Sequence, residues 1–181
     1  MTGPAAVSNV PSPGSVAATS TATVLIADFA STDAGGKLNV VGGGIAVTTA
    51  MPMPGLPQLG IPPQCVVVLI TVTPEHTNER FAVTLTLEDE NARPLTVPDP
   101  AGGPGQPLRL QQLVSAPPVT VPGVPVNKLP GQIQVIINLG QGIPVPPGQM
   151  WTWVLEIDGN RKPEWRRSFY VLHGPTPPVL G

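Results

Sequence analysis

The chain has 181 residues, of which 41% are hydrophobic and only 11% are charged, and its formal net charge at pH 7 is −2. This composition excludes an intrinsically disordered chain, because disorder accompanies low hydrophobicity and high net charge. It also leaves no basic footprint for nucleic-acid binding. The length fits one domain with a well-buried core, and the only cysteine, Cys65, excludes an intrachain disulfide.

The first 22 residues carry no charged side chain and are rich in Pro, Ser, Thr and Ala. They predict a flexible arm without a core of its own, and residues 174–181 predict an extended tail. The arm lacks the basic and apolar parts of a secretory signal, and no apolar run is long enough for a transmembrane helix. We therefore expect assembly inside a cell, without membrane insertion.

Most of the 26 prolines of the chain fall within residues 23–173 and divide this range into proline-free windows. These windows predict β-strands, since proline cannot donate a ladder hydrogen bond and breaks helices. Residues 23–29 and 37–41 predict a hairpin around a turn at residues 33–36. Three glycines at 42–44 then interrupt the second strand before residues 45–48. They indicate a bulge or a closely approaching backbone, not a phosphate loop, because no helix start follows.

Residues 65–72 are apolar throughout, which predicts a central strand covered on both faces, with Cys65 buried. Residues 81–88 alternate as a half-buried strand does. Further strands are expected at residues 108–114, 133–139, 150–157 and 165–172, the last two joined through an Asp-Gly turn at 158–159. With proline-rich connections at 52–63, 94–107 and 117–130, the chain predicts an all-β, two-sheet antiparallel sandwich of seven to nine strands.

Few side chains indicate catalysis or metal binding. His76 and His173 belong to no Cys/His cluster, and we expect both at the surface. The acidic residues 88–90 do not have the spacing of a calcium loop and indicate a solvated turn. No serine lies in a nucleophile-elbow pattern, and Cys65 is expected to be unreactive. We predict no enzyme, no cofactor and no metal; only convergence of distant residues leaves a hydrolase or a metal-dependent enzyme open.

One patch combines basic and aromatic residues, namely Arg161, Lys162, Trp165, Arg166 and Arg167. Arg and Trp are the residue types that most often dominate the energy of protein interfaces. The patch therefore predicts a contact with a partner or a second copy. The alternative is a polar hairpin tip with Trp165 in the core.

Three groups of segments resemble an uncharacterised family of immunoglobulin-like domains from actinobacteria and their phages. These are residues 27–30 with 36–44, residues 74–76 with 85–89, and residues 153–159 with 164–165 and 169–171. The resemblance covers residues 23–173. It implies an immunoglobulin-like sandwich and brings no catalytic residues with it.

The low charge and this resemblance favour a non-enzymatic structural protein. We expect a minor capsid or decoration protein of a phage virion that binds neighbouring subunits through its arms, as a homo-oligomer or on capsid subunits. Nucleic acid, membranes and small-molecule substrates are not expected as partners. The expected location is the virion, assembled in the bacterial cytoplasm, with the cytoplasm as the alternative. The alternative function is a bacterial protein- or glycan-binding immunoglobulin-like module that uses its proline-rich loops.

Overall fold

The computed structural model describes residues 12, 14–53, 58–98, 103–125 and 127–174. Strands dominate this part of the chain, which confirms the prediction of a nearly all-β protein. The elements in chain order are α1 (Val16–Thr19), β1 (Thr21–Ala27), β2 (Phe29–Thr32), β3 (Leu38–Val41), β4 (Val47–Thr49), β5 (Met51–Pro52), β6 (Leu59–Ile61), β7 (Gln64–Val72), a 3₁₀ helix (Pro74–His76), β8 (Arg80–Asp89), β9 (Thr96–Val97), β10 (Gln106–Pro107), β11 (Arg109–Ser115), β12 (Gly131–Leu139), β13 (Ile143–Pro144), β14 (Gln149–Ile157) and β15 (Asn160–Leu172).

Two sheets form the body of the domain. One has the strand order β1-β7-β12, and the other has the order β11-β8-β14-β15-β4. Neighbouring strands in both sheets are antiparallel except β15 and β4, which pair in parallel. The remaining short strands lie mostly in the proline-rich connections, where prolines limit the length of a ladder.

The inner faces of the two sheets share one hydrophobic core. Alternate residues of each main strand point inward, as the two-residue period of a strand requires. The core includes Val66, Val68 and Ile70 of β7, Phe81, Val83, Leu85 and Leu87 of β8, Trp151, Trp153, Leu155 and Ile157 of β14, and Phe169 and Val171 of β15. Full burial of one such side chain contributes about 1.5–3 kcal/mol. The predicted inward face of residues 150–157 is thereby confirmed.

Strand β7 is covered on both faces, as its continuous apolar run predicts. Its other face packs Cys65 and Val67 against Ala30, Leu38 and Val40 of the β2–β3 hairpin. Cys65 is buried and has a free thiol. The central strand of the smaller sheet therefore lies between the main core and a second, smaller apolar cluster.

The hairpin differs from the predicted one in its first strand. Residues 23–29 do not form one continuous strand, because the chain changes partner at Asp28: β1 pairs with β7, and only β2 pairs with β3. The predicted turn is confirmed. Its geometry is fixed by Asp33, whose Oδ1 accepts hydrogen bonds from the backbone N–H groups of Gly35 and Lys37, both at 2.8 Å.

The three glycines carry the chain from the β2–β3 hairpin to the edge of the larger sheet. The N–H groups of Gly44 and Ile45 both donate to the carbonyl of Ile26, at 2.9 and 3.2 Å, so a second backbone does approach closely here. Gly42 has φ +64°, and the Asp28 carboxylate lies where its Cβ would be. The expected continuation of one strand through residues 45–48 is wrong, since β3 and β4 belong to different sheets.

Part of the predicted arm belongs to the folded domain. Ser15 caps α1 by accepting a hydrogen bond from Ala18 N–H at 3.3 Å, and Val16 and Ala17 are buried in the main core. β1 begins at Thr21. The rest of the predicted arm (1–11 and 13) and residues 175–181 of the predicted tail lie outside the described residues. Within the described ranges, no helix is long and apolar enough to cross a membrane.

Candidate interaction surface

A bulge in β15 determines where the side chains of the predicted basic patch lie. The pairing of Arg161 with Glu156 is followed by that of Arg166 with Val154, so residues 162–165 lie opposite a single residue of β14. Pro163 lies in this bulge, where no ladder hydrogen bond is required of it. The Asp-Gly turn before the bulge is confirmed, with φ +48° at Asp158 and +74° at Gly159, but β15 begins earlier than the predicted residue 165.

Two residues of the patch are used inside the molecule. Trp165 is fully buried in the main core, as the alternative interpretation of the patch expects. Lys162 Nζ donates to the carbonyls of Ala18 and Ser20 at 3.1 and 3.0 Å and lies 4.5 Å from the centroid of the Trp165 ring. This cation–π contact and the two hydrogen bonds tie the bulge to the end of α1.

Arg161 is the centre of an ion-pair network that crosses three strands. Its Nε donates to Glu156 Oε1 on β14, and its Nη1 donates to Glu88 Oε1 on β8, both at 2.7 Å. Arg109 Nη2 on β11 lies 3.5 Å from Glu156 Oε2. Glu88 is only 3% exposed and Glu156 only 7%, so these carboxylates need the neighbouring cations to offset the cost of burial.

The charge of Arg161 is held firmly by this arrangement. Partial burial of the guanidinium acts to lower its pKa, but the hydrogen bonds and negative charges of Glu156 and Glu88 outweigh that effect. The pKa of Arg161 is therefore raised above its ordinary value. The permanently protonated guanidinium offsets one of the two carboxylate charges, Arg109 offsets the other, and the guanidinium does not exchange its proton near neutral pH.

The last two residues of the patch lie apart from this network. Arg166 is exposed, whereas Arg167 Nη2 donates to the carbonyl of Gly44 at 2.9 Å. The five residues therefore do not act as one surface: Trp165 is in the core, and Lys162 and Arg167 bind backbone carbonyls of the chain itself. A partner contact through the exposed Arg161 and Arg166 remains a prediction.

The network lies on what we call the outer face, the surface of the larger sheet that points away from the core. At one end of this face, Met150, Tyr170 and Val47 form a row across three paired strands, with Leu172 beside it. Met150, Val47 and Leu172 are exposed. Next to this row, the hydroxyls of Thr152 and Ser168 share a hydrogen bond of 2.9 Å.

The opposite corner of the outer face is also apolar. Leu113 on β11, paired with Ala82, is 69% exposed and is the most exposed large apolar side chain of the described residues. The outer face thus has apolar ends and a central ion-pair network, and Arg166, which pairs with Val154 of β14, is an exposed cation beside that network. Most of the charge on this face is therefore paired within the chain, and the cores of protein interfaces are similarly depleted of charge.

The sequence did not indicate Glu88, Glu156 or Arg109 as members of a network. The predicted solvated turn is wrong for Glu88, because β8 continues to Asp89 and directs the Glu88 side chain towards Arg161. The two-residue alternation of β14 was the available signal: Glu156 shares the face opposite Trp151 and Trp153. No sequence pattern specified which cation pairs with Glu156.

The two histidines differ in their surroundings. His76 is buried, which makes the surface prediction wrong: the 3₁₀ helix places its Nδ1 2.7 Å from Glu79 Oε2. His173 is exposed, as predicted. In the part of the chain that the structure describes, no three His, Cys, Asp or Glu side chains lie close enough together to hold a metal ion.

A cleft of about 470 Å³ lies beside the proline-rich loops. Its walls include Leu59, Arg93, Leu95, Pro144, Pro147 and Trp151. The Trp151 Nε1 donates to the Pro146 carbonyl at 3.1 Å, so the indole is fixed in place by the loop. The cleft is mostly apolar with a few polar groups, which is the usual composition of ligand pockets.

The architecture defines the chain as an all-β domain of two packed sheets with a partly apolar outer face. The profile of a family of unknown function, DUF6941, matches residues 22–172, and the chain belongs to this family. The matched range begins one residue after the start of β1 and ends with β15, so it contains both sheets. No curated protein matches the chain.

Proposed function

We propose that this protein is a non-enzymatic structural protein that binds other proteins, as a minor capsid or decoration component of a phage virion. Its place would be the virion, assembled in the bacterial cytoplasm. The outer face is the observation that carries the proposal. Apolar side chains are exposed at both of its ends, and the charges of the central network are paired within the chain, whereas Arg166 is exposed beside them. A protein partner would therefore cover the apolar ends and the network without leaving the charges of the network unpaired, and it would need to offer an acceptor to Arg166.

The finer fold that we propose is an immunoglobulin-like sandwich. In this proposal, the order β1-β7-β12 takes the places of strands A, B and E, and β15-β14-β8-β11 takes those of strands G, F, C and C′, with β4 as an additional strand beside β15. The B–F disulfide of antibody domains has no counterpart, since Cys65 is the only cysteine. This correspondence supports the resemblance to immunoglobulin-like domains of actinobacteria and their phages, from which the virion role comes.

Incorporation into particles tests the proposal. We expect the double variant Met150→Lys with Leu172→Lys to be lost from purified particles, because it adds two positive charges to the apolar end of the outer face. The matched control is Val41→Lys, at a 60% exposed apolar position in the β2–β3 hairpin. Immunoblots of particles from the producing bacterium measure both. Equal amounts of the two variants in particles would contradict a role for the outer face, and absence of the wild-type protein from particles would overturn the virion role.

The cleft supports a second candidate, a bacterial module that binds a protein or glycan through its proline-rich loops. Its walls come from the loops around residues 58–59, 93–96 and 144–147, which a rigid pair of sheets holds in position. Leu59→Arg should abolish such binding by filling the cleft, whereas Val41→Arg should retain it. A glycan array or a peptide library probed with the wild-type protein and both variants measures this difference. If the wild-type protein binds no ligand selectively, this candidate function is excluded.

A further inference from the structure

The larger sheet ends in a regular strand with a free edge. β11 pairs with β8 over seven residues without a register shift, and none of the described residues pairs with its other side. Proteins normally protect such edges with lysines, prolines, inward charges or bulges. The stretch Arg109–Ser115 has no proline, lysine or acidic residue, and its one arginine extends towards Glu156. This edge therefore lacks the usual protection against pairing.

Hydrogen bonding across β8 shows which backbone groups of β11 are available. Ala82 directs its C=O and N–H away from β11: its carbonyl accepts from Asp158 N–H at 2.9 Å, and its N–H donates to Asp158 Oδ1 at 2.8 Å. Leu113, which pairs with Ala82, must then direct its own N–H and C=O to the free edge. By the alternation of an antiparallel ladder, Arg109, Gln111 and Ser115 do the same.

The core is also incompletely covered at this edge. A gap of about 130 Å³ opens between β11 and β12, with apolar walls from Val68, Val83, Leu85, Leu110, Val135 and Ile137. Gln112, which is exposed, lies at this gap. Unpaired backbone groups and an opening to the apolar interior thus occur at the same place. An added strand would satisfy the first and cover the second.

We propose that β11 pairs with β11 of a second copy, antiparallel about a two-fold axis at Gln112. In this register, Gln111 lies opposite Leu113 of the second copy, and Arg109 lies opposite Ser115. All four outward-directed residues then lie in hydrogen-bonded pairs, which gives roughly eight backbone hydrogen bonds. No like charges oppose one another, and the two Leu113 side chains are diagonal neighbours on the outer face.

Prolines on both sides of the strand select this register. If the axis moved to Leu113, Arg109 would oppose Pro117; if it moved to Gln111, Ser115 would oppose Pro107. Proline has no N–H, so either shift would replace a complete pair with an incomplete one. The Gln112 axis is the one that uses the full length of β11.

Variants at residue 111 test the pairing with little effect on the fold. Gln111 directs its N–H to the free edge, so Gln111→Pro removes a donor to the second copy and leaves the β8 ladder intact. The wild-type full chain should sediment as a dimer, Gln111→Ala should remain dimeric, and Gln111→Pro should be monomeric. If Gln111→Pro fails to fold, Leu113→Lys provides the same comparison, with Val41→Lys as its control.

Cysteine cross-linking tests the register independently. The two Gln112 residues would form a non-hydrogen-bonded pair, where the side chains of opposing strands are closest. Gln112→Cys should therefore give a covalent dimer under mild oxidation, whereas Ser115→Cys, on the same strand, should not. A monomeric wild-type protein would overturn the inference, as would a dimer that persists in Gln111→Pro and is not cross-linked through residue 112.

The inference names a second copy of the chain as a binding partner, and it does not depend on the proposed virion role. Dimerisation is measured with purified protein, whereas the virion role is measured by incorporation into particles. Loss of one result therefore leaves the other standing.

Discussion

Arg161 on β15 contacts Glu88 on β8 across the intervening strand β14, with 2.7 Å between Nη1 and Oε1. The two residues are 73 positions apart in the chain. Because the guanidinium also binds Glu156 on β14, one side chain connects three neighbouring strands. The network joins the strands on the face opposite the hydrophobic core.

Removal of Arg161 should destabilise the domain. Arg161→Ala leaves Glu88 and Glu156 buried without their main counter-ion, and such losses cost about 3–5 kcal/mol in fully buried pairs. The Arg161 side chain is 41% exposed, so solvent screening reduces the expected loss to roughly 1–3 kcal/mol. Urea denaturation measures it. Arg166→Ala, at an exposed position of the same strand, is the control and should change stability by less than about 0.5 kcal/mol.

Trp165 should contribute to stability and not directly to partner binding. Trp165→Ala creates a cavity in the core and should cost about 3–5 kcal/mol, whereas Trp165→Phe keeps most of the volume and should cost less. The midpoints of thermal unfolding of the two variants show which substitution destabilises the protein more. A stable Trp165→Ala protein that loses only its binding to a partner would contradict the core assignment.

Lys162 should hold α1 against β15. Lys162→Met keeps the apolar part of the side chain but loses the cation–π contact and the hydrogen bonds to Ala18 and Ser20, at a cost of about 1–2 kcal/mol. Limited proteolysis should then cleave near α1 sooner than in the wild-type chain. An exchange of Lys128, a lysine outside this contact, for methionine should leave the cleavage rate unchanged.

Truncation should separate the arm from the folded domain. Deletion of residues 1–13 retains α1 and β1, so we expect an unchanged midpoint of thermal unfolding. Deletion of residues 1–22 also removes Val16 and Ala17 from the core and the first two residues of β1, and should lower the midpoint clearly. Equal midpoints for both truncations would show that α1 adds nothing to stability.

Much of the fold follows from local patterns. Proline positions locate the connections, alternation locates β8, β12 and β14, and the continuous apolar run of β7 predicts cover on both faces. These patterns succeed because they depend on backbone geometry and on burial of successive side chains. The split at Asp28 could not be predicted in the same way, since apolar residues continue on both sides of it and only the choice of partner strand changes.

The candidate surface was harder to predict for the same reason. The cluster around residue 165 was visible, but its members point in different directions because the bulge interrupts the two-residue period. Glu88 is preceded by an alternating strand and followed by a turn, and its local sequence does not indicate which environment applies. Only the pairing of β8, β14 and β15 brings its counter-ion within reach.

The position of Cys65 gives the molecule a built-in reporter. Its thiol lies beneath the small hairpin, on the side of β7 away from the main core, and no other sulfhydryl competes for reagent. Alkylation therefore requires that the hairpin lift away, which can occur while both large sheets stay paired. The labelling rate at different denaturant concentrations would separate this partial opening from complete unfolding.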